Sequence, residues 1–275
     1  MTALERAGRT RYSGRMKVES WDPRGWCEAG LSAAREAATL VMEGFRGRYR
    51  VQTKAHAELF TEYDVRSEEL IRKALAEATP GIAIVGEEDG GTASSELTWF
   101  VDPIDGTTNF VAGHPWFAVS VGLMCGKEPI AGAVVAPALG LSWWGWVGGG
   151  AWRDGVPCRV KDNTRLSNAL ISTGFPTRSG APGARQVERH ARVVAATRDV
   201  RRCGSAAIEL CLVAEGVYDV YWMRRLDHWD TAAGAAIVLA AGGAWQSHEV
   251  EGEVHELAGN PAMLPVFKRI LDEPS

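Results

Sequence analysis

Residues 99–110 read WFVDPIDGTTNF, in which an apolar run stops at two carboxylates held in a turn that contains Pro and Gly. Aromatic and β-branched side chains favour a strand over residues 99–101, so Asp102 lies at its carboxyl end. Gly106 permits backbone angles that a residue with a Cβ resists. This stretch therefore predicts a strand that ends in an acidic turn.

The two carboxylates of this turn, Asp102 and Asp105, allow two interpretations. Acidic residues are frequent in turns, and Asp105 or Thr107 would cap a short helix that begins near Thr108. Alternatively, the carboxylates bind a hard divalent cation such as Mg²⁺, which prefers oxygen ligands in octahedral geometry. The remainder of the chain favours the second interpretation.

Two other segments place acids at the end of a strand or at the start of a helix. Residues 84–88 read IVGEE, a short apolar strand broken by Gly and followed by Glu87 and Glu88. Farther along, Asp230 lies just before the small-residue run 232–243, at the N-cap position of a predicted helix. Acids at three strand ends or helix starts of one chain argue against a role in turns alone.

Four segments resemble motifs of the inositol monophosphatase family of Mg²⁺-dependent, lithium-sensitive phosphatases, in the family's order and at compatible spacing. They are GEE at 86–88, DPIDGTTNF at 102–110, GSAA at 204–207 and WDTAAG at 229–234. The resemblance covers most of the chain. It implies an α/β (α+β) fold, a layered α-β-α-β-α sandwich, in which an antiparallel-rich first sheet carries the metal motifs.

The resemblance also implies which residues bind the metal. Glu87, Asp102, Asp105, Asp230 and the backbone carbonyl of Ile104 would hold two or three Mg²⁺ ions. A metal-bound water ionises more readily than bulk water, and a pair of metals can clamp both oxygens of an in-line displacement. The expected reaction is hydrolysis of a phosphate monoester by metal-activated water, with no covalent enzyme intermediate.

The same resemblance assigns the groups that handle the proton and the phosphate. Thr107 would orient the attacking water, with Glu87 as its proton acceptor, and the amides of Gly106 and Thr107 would receive the phosphate. Asp64 would help to hold a further metal ion or its water; alternatively, it is an early-turn acid favoured by the helix dipole. Glu58 matches an acid of the family only loosely.

Substrate contacts are expected from the second half of the chain. Free amides at the helix start formed by Gly204, Ser205 and Ala206 can receive an anion or a hydroxyl group. A plain, tight helix start is the alternative. The resemblance adds the carboxylates of Asp105 and Asp230 as substrate contacts.

The residues before the Trp-Asp pair depart from the inositol-specific pattern. That pattern has a Glu that grips a ring hydroxyl, whereas this chain has Met223, followed by Arg224 and Arg225. Met accepts hydrogen bonds poorly, and two guanidinium groups suggest an additional anionic group on the substrate; a neutral surface change is the alternative. Inositol-1-phosphate or a related cyclitol or sugar phosphate is expected, with fructose 1,6-bisphosphate, histidinol phosphate and nucleotide (3′-phosphoadenosine) phosphates as alternatives.

Composition and charge are those of a globular enzyme. The 275 residues are 46% hydrophobic and 23% charged, and the net charge of −4 offers no basic surface for nucleic acid. No apolar run reaches the roughly 20 residues that span a bilayer as a helix. Five scattered cysteines without C-x-x-C spacing predict neither disulfides nor a zinc site and fit a reducing cytoplasm.

We predict that the chain divides into three parts. Residues 1–20 lack an apolar signal core and form a flexible N-terminal extension, in which Met16 is an alternative start to Met1. Residues 21–162 form the metal-binding α+β half, and residues 163–275 form an α/β half that completes the active site. Since the family commonly forms dimers, we expect a homodimer.

Periodicity predicts the helices and strands that flank these motifs. The expected helices are residues 26–45, 64–78, 184–197, 206–216, 230–241 and 261–271. The expected strands are residues 83–85, 116–124, 130–135, 141–146, 169–173 and 218–222, with hairpins at 51–60 and 152–157.

Two other classes of function stay open at this point. A non-catalytic, metal-responsive interaction protein would keep the acids without a need for Thr107 and Glu87, which are both present. A metal-dependent hydrolase of another bond would use the same cations but would release no phosphate from a phosphate ester.

Overall fold

The computed structural model describes residues 21–53, 59–94, 96–174, 184–224 and 226–273. The predictions for the extension 1–20, for Glu58 and for Arg225 lie outside these residues. Among the residues described, no helix is both long and apolar enough to cross a membrane.

The helices and strands follow one another along the chain as follows. The helices are α1 (Pro23–Gly44), α2 (Glu62–Ala78), α3 (Thr107–Val111), α4 (Ala184–Ala196), α5 (Ala206–Ala214), α6 (His228–Ala240) and α7 (Leu264–Asp272). The strands are β1 (Val51–Thr53), β2 (Leu59–Thr61), β3 (Ala83–Gly86), β4 (Leu97–Asp105), β5 (Ala118–Cys125), β6 (Glu128–Ala136), β7 (Leu141–Trp146), β8 (Gly150–Arg153), β9 (Val156–Pro157), β10 (Leu170–Thr173), β11 (Asp199–Arg201), β12 (Val220–Arg224), β13 (Ala244–Val250) and β14 (Glu253–Gly259).

Sheets alternate with layers of helices. The first sheet has the order β3-β4-β5-β6-β7-β8-β9, with β3 parallel to β4 and the other pairs antiparallel. The second sheet has the order β11-β10-β12-β14-β13. Helices α1 and α2 pack on the outer face of the first sheet, α5 and α6 lie between the sheets, and α4 and α7 cover the second sheet. The predicted α-β-α-β-α sandwich is confirmed.

Helix α1 shows how local sequence sets the start of an element. The carboxylate of Asp22 accepts a hydrogen bond from the amide of Gly25 at 2.9 Å, and Pro23 takes the first helical position. Both are preferred helix-start features. The helix therefore begins at Pro23 and not at Trp26, where the apolar periodicity predicted it.

The acidic turn differs from the prediction in two ways. Strand β4 continues to Asp105 instead of ending before Asp102, because its pairing with β5 resumes after an irregularity between those two residues. Helix α3 has Gly106 at its N-cap with a left-handed φ of 94°, and neither Asp105 nor Thr107 caps it. Both acids thus lie in a bulged strand end, a geometry that redirects side chains.

Helix α6 also begins earlier than predicted. Asp227 occupies the N-cap, and Asp230 lies in the first turn, where its Oδ2 accepts a hydrogen bond from the Asp227 amide at 2.9 Å. The prediction that Asp230 is the N-cap is therefore wrong. A capping box explains the difference, because the first acid caps the helix while the second reaches back to it.

The ends of other elements shift by a few residues, because turns occupy their predicted first residues. Strand β12 begins at Val220, since the amides of Val217 and Tyr218 bind the Leu212 carbonyl at the end of α5. Helix α7 follows a turn in which the side chain of Asn260 accepts a hydrogen bond from the backbone. The cysteines, all of which lie in described residues, form no disulfide, as predicted.

Helix α6 packs against the first sheet over glycines. Gly122 of β5 and Gly132 of β6 lie opposite each other in the sheet. A Cβ on either residue would lie 2.3 Å from a backbone atom of Ala233. Only residues without a side chain allow this close approach. The two glycines therefore seat a helix of the C-terminal half against the sheet of the N-terminal half.

One hydrophobic cluster joins the two halves of the chain. Buried Val134 and Trp143 of the first sheet belong to the same cluster as Ile237 of α6 and Tyr221 of the second sheet. The packing is therefore continuous across residue 162. The division into two halves stays a prediction about the order of the elements along the chain.

Replacement of Gly132 by Ala is expected to lower the free energy of unfolding by about 2–4 kcal/mol. The added methyl group would overlap backbone atoms of α6, which cannot rotate away. Denaturation monitored by tryptophan fluorescence measures the change. Glu128→Ala, at the exposed start of the same strand, is the control and should change stability by less than about 0.5 kcal/mol. Equal stability of Gly132→Ala and the wild type would contradict the seating of α6.

Candidate active site

Strand β4 and helix α3 form the centre of the site. The carboxylate of Asp102 accepts a hydrogen bond from the Ile104 amide at 2.9 Å, which fixes the turn between the two acids. The side chain of Ile104 is buried in the core, and its carbonyl oxygen lies 3.0 Å from the hydroxyl oxygen of Thr107. The buried side chain of Ile104 thus anchors the motif in the core, while its carbonyl oxygen and the Asp102 carboxylate lie at the end of β4.

Helix α2 contributes Asp64, which contacts both a helix cap and Thr107. Its Oδ2 accepts hydrogen bonds from the amide of Thr61 at 2.7 Å and from the hydroxyl of Thr61 at 2.6 Å. Its Oδ1 lies 3.1 Å from the hydroxyl oxygen of Thr107. A hydroxyl group has one proton, so Thr107 donates either to Asp64 or to the Ile104 carbonyl. Oδ2 of Asp64 therefore caps the helix, and Oδ1 is the oxygen that contacts Thr107, so both predicted roles of Asp64 are compatible.

Glu87 follows β3 at the parallel pair of the first sheet. Its amide donates a hydrogen bond of 3.1 Å to the backbone of β4. Its charge contributes to raising the pKa of Asp64, Asp102, Asp105 and Asp230. The carboxylate of Glu87 therefore lies among the other predicted acids.

Asp105 is held by the start of helix α5. Its Oδ2 accepts hydrogen bonds from the hydroxyl of Ser205 at 2.6 Å and from the amide of Ala207 at 2.7 Å, and its Oδ1 accepts from the amide of Ala206 at 3.3 Å. We predicted that Ser205 and Ala206 contact the substrate, but in the structure they bind this carboxylate. Helix N-termini attract the nearest anion, which here belongs to the protein. Gly204 precedes them and is exposed.

Asp230 joins this cluster from helix α6, which belongs to the C-terminal half of the chain. Burial is the main cause that raises its pKa well above the ordinary value, and the charges of Asp105 and Glu87 add to it. In turn, the charge of Asp230 helps to raise the pKa of Asp102. The structure therefore brings Asp230 together with the acids of the first sheet.

Burial and mutual repulsion decide the protonation of the cluster. Burial is the largest cause that raises the pKa of Asp64 and of Asp105 to about 6. For Asp102, burial again comes first, and the neighbouring carboxylates raise its pKa further. Hydrogen bonds from Ser205 and from the start of α5 act in the opposite direction at Asp105. A positive partner would relieve both unfavourable effects.

The set of donors fits a hard divalent cation. It consists of the buried carboxylates of Asp102 and Asp105, the half-buried carboxylates of Glu87 and Asp230, and a backbone carbonyl. These are the ligand types that Mg²⁺ prefers. Among the described residues, no three acidic, histidine or cysteine side chains are already close enough to hold one ion between them. Mg²⁺ commonly binds one or two protein carboxylates and completes its octahedron with water and substrate oxygens. The arrangement is therefore compatible with Mg²⁺.

Met223 lies on the face of β12 that looks towards the carboxylates. It packs with the cluster between the two sheets, and the hydroxyl of Tyr221 lies 3.5 Å from its sulfur. Tyr221 shares this face, and its pKa is raised by burial and then by nearby carboxylates that include Asp105 and Asp230. Met223 therefore shares a face of β12 with Tyr221, and a contact between Met223 and the substrate stays a prediction.

Arg224 lies on the opposite face of β12, beneath helix α4. Its guanidinium group pairs with Glu253 and donates a hydrogen bond to the side-chain oxygen of Gln186. Trp222 shares this face and packs in the cluster with α7. The structure does not bring Arg224 together with the carboxylates, and Glu253 already balances its charge. We therefore withdraw Arg224 from the predicted substrate contacts.

Glu209, a buried acid behind the start of α5, was not predicted from the sequence. Its carboxylate accepts a hydrogen bond of 2.6 Å from the amide of Cys203. Burial chiefly raises its pKa to about 8, and the charge of Asp105 adds to this rise. A lone acid in the otherwise apolar helix sequence AAIELCLVA was the available signal. Such an acid is rarely buried without a partner.

Asn109 ties the two halves together at this point. Its side-chain amide donates hydrogen bonds to the carbonyl of Cys203 at 2.9 Å and to the carbonyl of Trp116 at 2.6 Å. The last residue but one of the DPIDGTTNF motif thus holds the loop before α5. Asn109 had no predicted role other than membership of the motif.

Known proteins resemble the chain in sequence. It is 37% identical over 256 residues to the fructose-1,6-bisphosphatase/inositol-1-monophosphatase of Aquifex aeolicus, and the alignment covers 90% of this chain and 97% of that protein. It is 43% identical over 194 residues to the inositol-1-monophosphatase of Mycobacterium bovis, with 66% of each protein covered.

Solved structures resemble the chain in fold. The extragenic suppressor protein suhB of Bartonella henselae matches with a TM-score of 0.82 at 30% identity, covering 90% of this chain and 98% of that chain. Mycobacterium tuberculosis SuhB matches with a TM-score of 0.76 at 35% identity, covering 91% of this chain and 96% of that chain.

The fold, the acidic site and these relatives define a phosphoric monoester hydrolase that acts on small phosphate esters. A sequence profile of the inositol monophosphatase family matches residues 22–271. The chain belongs to the inositol monophosphatase family, so the resemblance of its four motifs is confirmed. A non-catalytic role as the main function is not supported.

Proposed function

We propose that the chain is a Mg²⁺-dependent phosphatase whose substrate is inositol-1-phosphate or a related cyclitol or sugar phosphate. The observation that carries this proposal is that the segments bearing Glu87 and Asp230 both contact the strand end that bears Asp102 and Asp105. The Glu87 amide donates a hydrogen bond to the Val101 carbonyl, and Ser120, which lies opposite Asp102 in β5, donates one to the carbonyl of the residue before Asp230. The names of the Aquifex aeolicus and Mycobacterium bovis relatives support the substrate class. The first of these names also keeps fructose 1,6-bisphosphate as an alternative.

In this proposal, Glu87, Asp102, Asp105, Asp230 and the carbonyl of Ile104 hold two or three Mg²⁺ ions. Such ions would acidify a bound water and would stabilise the charge on the phosphoryl oxygens. The three aspartates ionise fully when a cation is close, because an opposite charge lowers the pKa that burial had raised. Because a bound cation would relieve the unfavourable burial of these acids, that relief would add to the affinity of the site for the metal.

Asp64 and Thr107 position the nucleophilic water. When Thr107 donates its proton to Asp64, its oxygen is left to accept a hydrogen bond from the water. Glu87 then accepts the proton that the water loses, as a general base. This arrangement uses the 3.1 Å contact between Asp64 and Thr107.

The amides of Gly106 and Thr107 receive the phosphate at the start of α3. Glycine is required at position 106 because a Cβ there would lie 3.0 Å from the carbonyl oxygens of Gly204 and Trp116. Its left-handed backbone turns the chain between strand and helix. The first amides of a helix are not used within it and are open to an anion.

A phosphate-release screen tests this function. The purified chain would be assayed with inositol-1-phosphate, fructose 1,6-bisphosphate, histidinol phosphate and 3′-phosphoadenosine phosphates, each with Mg²⁺, with EDTA, and with Mg²⁺ plus lithium. We expect Mg²⁺-dependent release of phosphate, fastest with a cyclitol or sugar phosphate, and inhibition by lithium. Release that is unaffected by EDTA, or none from any ester, would contradict the proposal.

Met223→Glu is expected to raise kcat/KM for inositol-1-phosphate about tenfold relative to a phosphate ester without a ring hydroxyl. A carboxylate accepts a hydrogen bond from a hydroxyl group, which a thioether does only weakly. Steady-state kinetics on both esters measure the ratio. Met223→Leu keeps an apolar side chain and should leave the ratio within about twofold. An equal change for both esters would show that residue 223 does not contact the ring.

The family resemblance also suggests a homodimer in the cytoplasm. Sedimentation of the Mg²⁺-loaded protein over a range of concentrations tests the dimer. A single species with the mass of one chain at every concentration would contradict it.

A further inference from the structure

The turn that carries Glu87 closes over a buried carboxylate of helix α2. Glu68 is only 1% exposed. Its Oε2 accepts a hydrogen bond from the amide of Glu88 at 2.8 Å, and its Oε1 accepts one from the amide of Asp89 at 3.0 Å. Glu68 thus binds the two amides that directly follow Glu87.

Arg72, one helical turn farther along α2, ties this carboxylate to both sides of the turn. Its Nε donates to Glu68 Oε1 at 2.8 Å, its Nη1 donates to the Ile84 carbonyl at 3.3 Å, and its Nη2 donates to the Gly90 carbonyl. The planar guanidinium group can reach all of these acceptors at once, which a Lys ammonium cannot. Arg72 therefore holds both sides of the turn, at Ile84 in the strand before it and at Gly90 after it.

Gly86 makes room for this arrangement. A Cβ at this position would lie 2.2 Å from Oε1 of Glu68. The carboxylate therefore packs directly against the backbone of the residue before Glu87. Because its oxygens accept hydrogen bonds from the turn and from Arg72, Glu68 is committed to the turn and is not a further ligand of the cation site.

The same helix carries Asp64, one turn before Glu68. Residues four apart lie on the same side of a helix. Helix α2 therefore carries both Asp64, an acid of the site, and Glu68, which holds the turn after Glu87. A buried carboxylate is costly unless it is hydrogen-bonded. Here the amides of Glu88 and Asp89 and the guanidinium group of Arg72 provide the hydrogen bonds.

We propose that Glu68, supported by Arg72, is a positioning residue that fixes the carboxylate of Glu87 for Mg²⁺ binding. This inference rests on the proposed function, in which Glu87 is a metal ligand. Residues that orient a ligand without touching the metal typically change metal affinity by about 10- to 100-fold when they are replaced. Glu68 is expected to act at the lower end of this range, since it holds the backbone and not the side chain of Glu87.

Glu68→Gln tests the proposal. Gln keeps one acceptor oxygen but replaces the other with an NH₂ group, which cannot accept a hydrogen bond from a backbone amide. Glu69→Gln is the matched control, with the same change of charge at an exposed position of the same helix. Calorimetric titration with Mg²⁺ alone should show a Kd about tenfold higher for Glu68→Gln and an unchanged Kd for Glu69→Gln. At saturating Mg²⁺, kcat should fall less than about threefold, since the ligands themselves remain.

A double variant distinguishes positioning from general damage. If Glu68 acts through Glu87, adding Glu68→Gln to Glu87→Gln should not weaken Mg²⁺ binding further. Wild-type affinity in Glu68→Gln, or an additive loss in the double variant, would overturn the inference. Unchanged affinity in Glu87→Gln alone would overturn the proposed function as well. If Glu68→Gln does not fold in EDTA, Arg72→Lys should weaken binding in the same way, and wild-type affinity in that variant would overturn the inference.

Discussion

Asp102→Asn is expected to lower kcat/KM for phosphate release at least about 10³-fold at low Mg²⁺, which corresponds to roughly 4 kcal/mol of transition-state stabilisation. A neutral amide binds a divalent cation far more weakly than a carboxylate does. The fold should persist, because the amide oxygen of Asn can still accept the hydrogen bond from the Ile104 amide that fixes the turn. Steady-state kinetics and circular dichroism measure the two effects.

The control for this variant is Asp162→Asn, which removes an equal charge from an exposed residue outside the site. Its activity should equal that of the wild type. High Mg²⁺ should restore part of the activity of Asp102→Asn, since the remaining acids still attract the ion. Wild-type activity of Asp102→Asn at low Mg²⁺ would remove Asp102 from the site.

The metal-free protein should lose stability as the pH rises from 5 to 8. Burial raises the pKa of Asp64 and Asp105 to about 6 and that of Glu209 to about 8 in the folded state. A carboxyl group with a raised pKa holds its proton more tightly when folded, so its stabilising effect is complete below the unfolded pKa and is lost as the pH passes the folded pKa. Urea denaturation in EDTA measures this trend. Saturating Mg²⁺ should reduce it, because cations favour the ionised acids.

Glu209→Gln isolates the upper part of this pH range. Its removal should stabilise the metal-free protein at pH 8 by up to about 4 kcal/mol relative to its effect at pH 5, given about 1.4 kcal/mol per unit of pKa shift. The Gln oxygen can still accept the hydrogen bond from the Cys203 amide. Glu249→Gln, at an exposed position, should show no such dependence on pH. A stability difference that is the same at both pH values would contradict a raised pKa for Glu209.

The local sequence was sufficient to identify the acids. It did not predict the ends of the strands and helices on which they lie. The DPIDG segment identifies Asp102 and Asp105 because their spacing is local. The extension of β4 to Asp105 depends on pairing with β5, a contact between distant residues that periodicity does not contain. Likewise, α6 is capped by Asp227 and not by Asp230 because the two acids form a capping box, in which Asp227 is the N-cap and Asp230 accepts a hydrogen bond from its amide.

The substrate side was harder to predict. Successive side chains of a strand point to opposite faces, but the predicted strand ended at residue 222, so the sequence did not show that Met223 and Arg224 lie on opposite faces of β12. The commitment of Ser205 to Asp105 was not readable, since it joins the two halves of the chain. The burial of Glu68 and Glu209 was equally hidden, because burial of an acid depends on the whole fold.

The seating of α6 on Gly122 and Gly132 has a consequence for biosynthesis. A nascent chain still attached to the ribosome can pair β4, β5 and β6 and expose those glycines well before the segment that carries Asp230 has been made. Glu87, Asp102 and Asp105 would then be in place without Asp230. The proposed set of metal ligands is therefore complete only after α6 has docked on the first sheet.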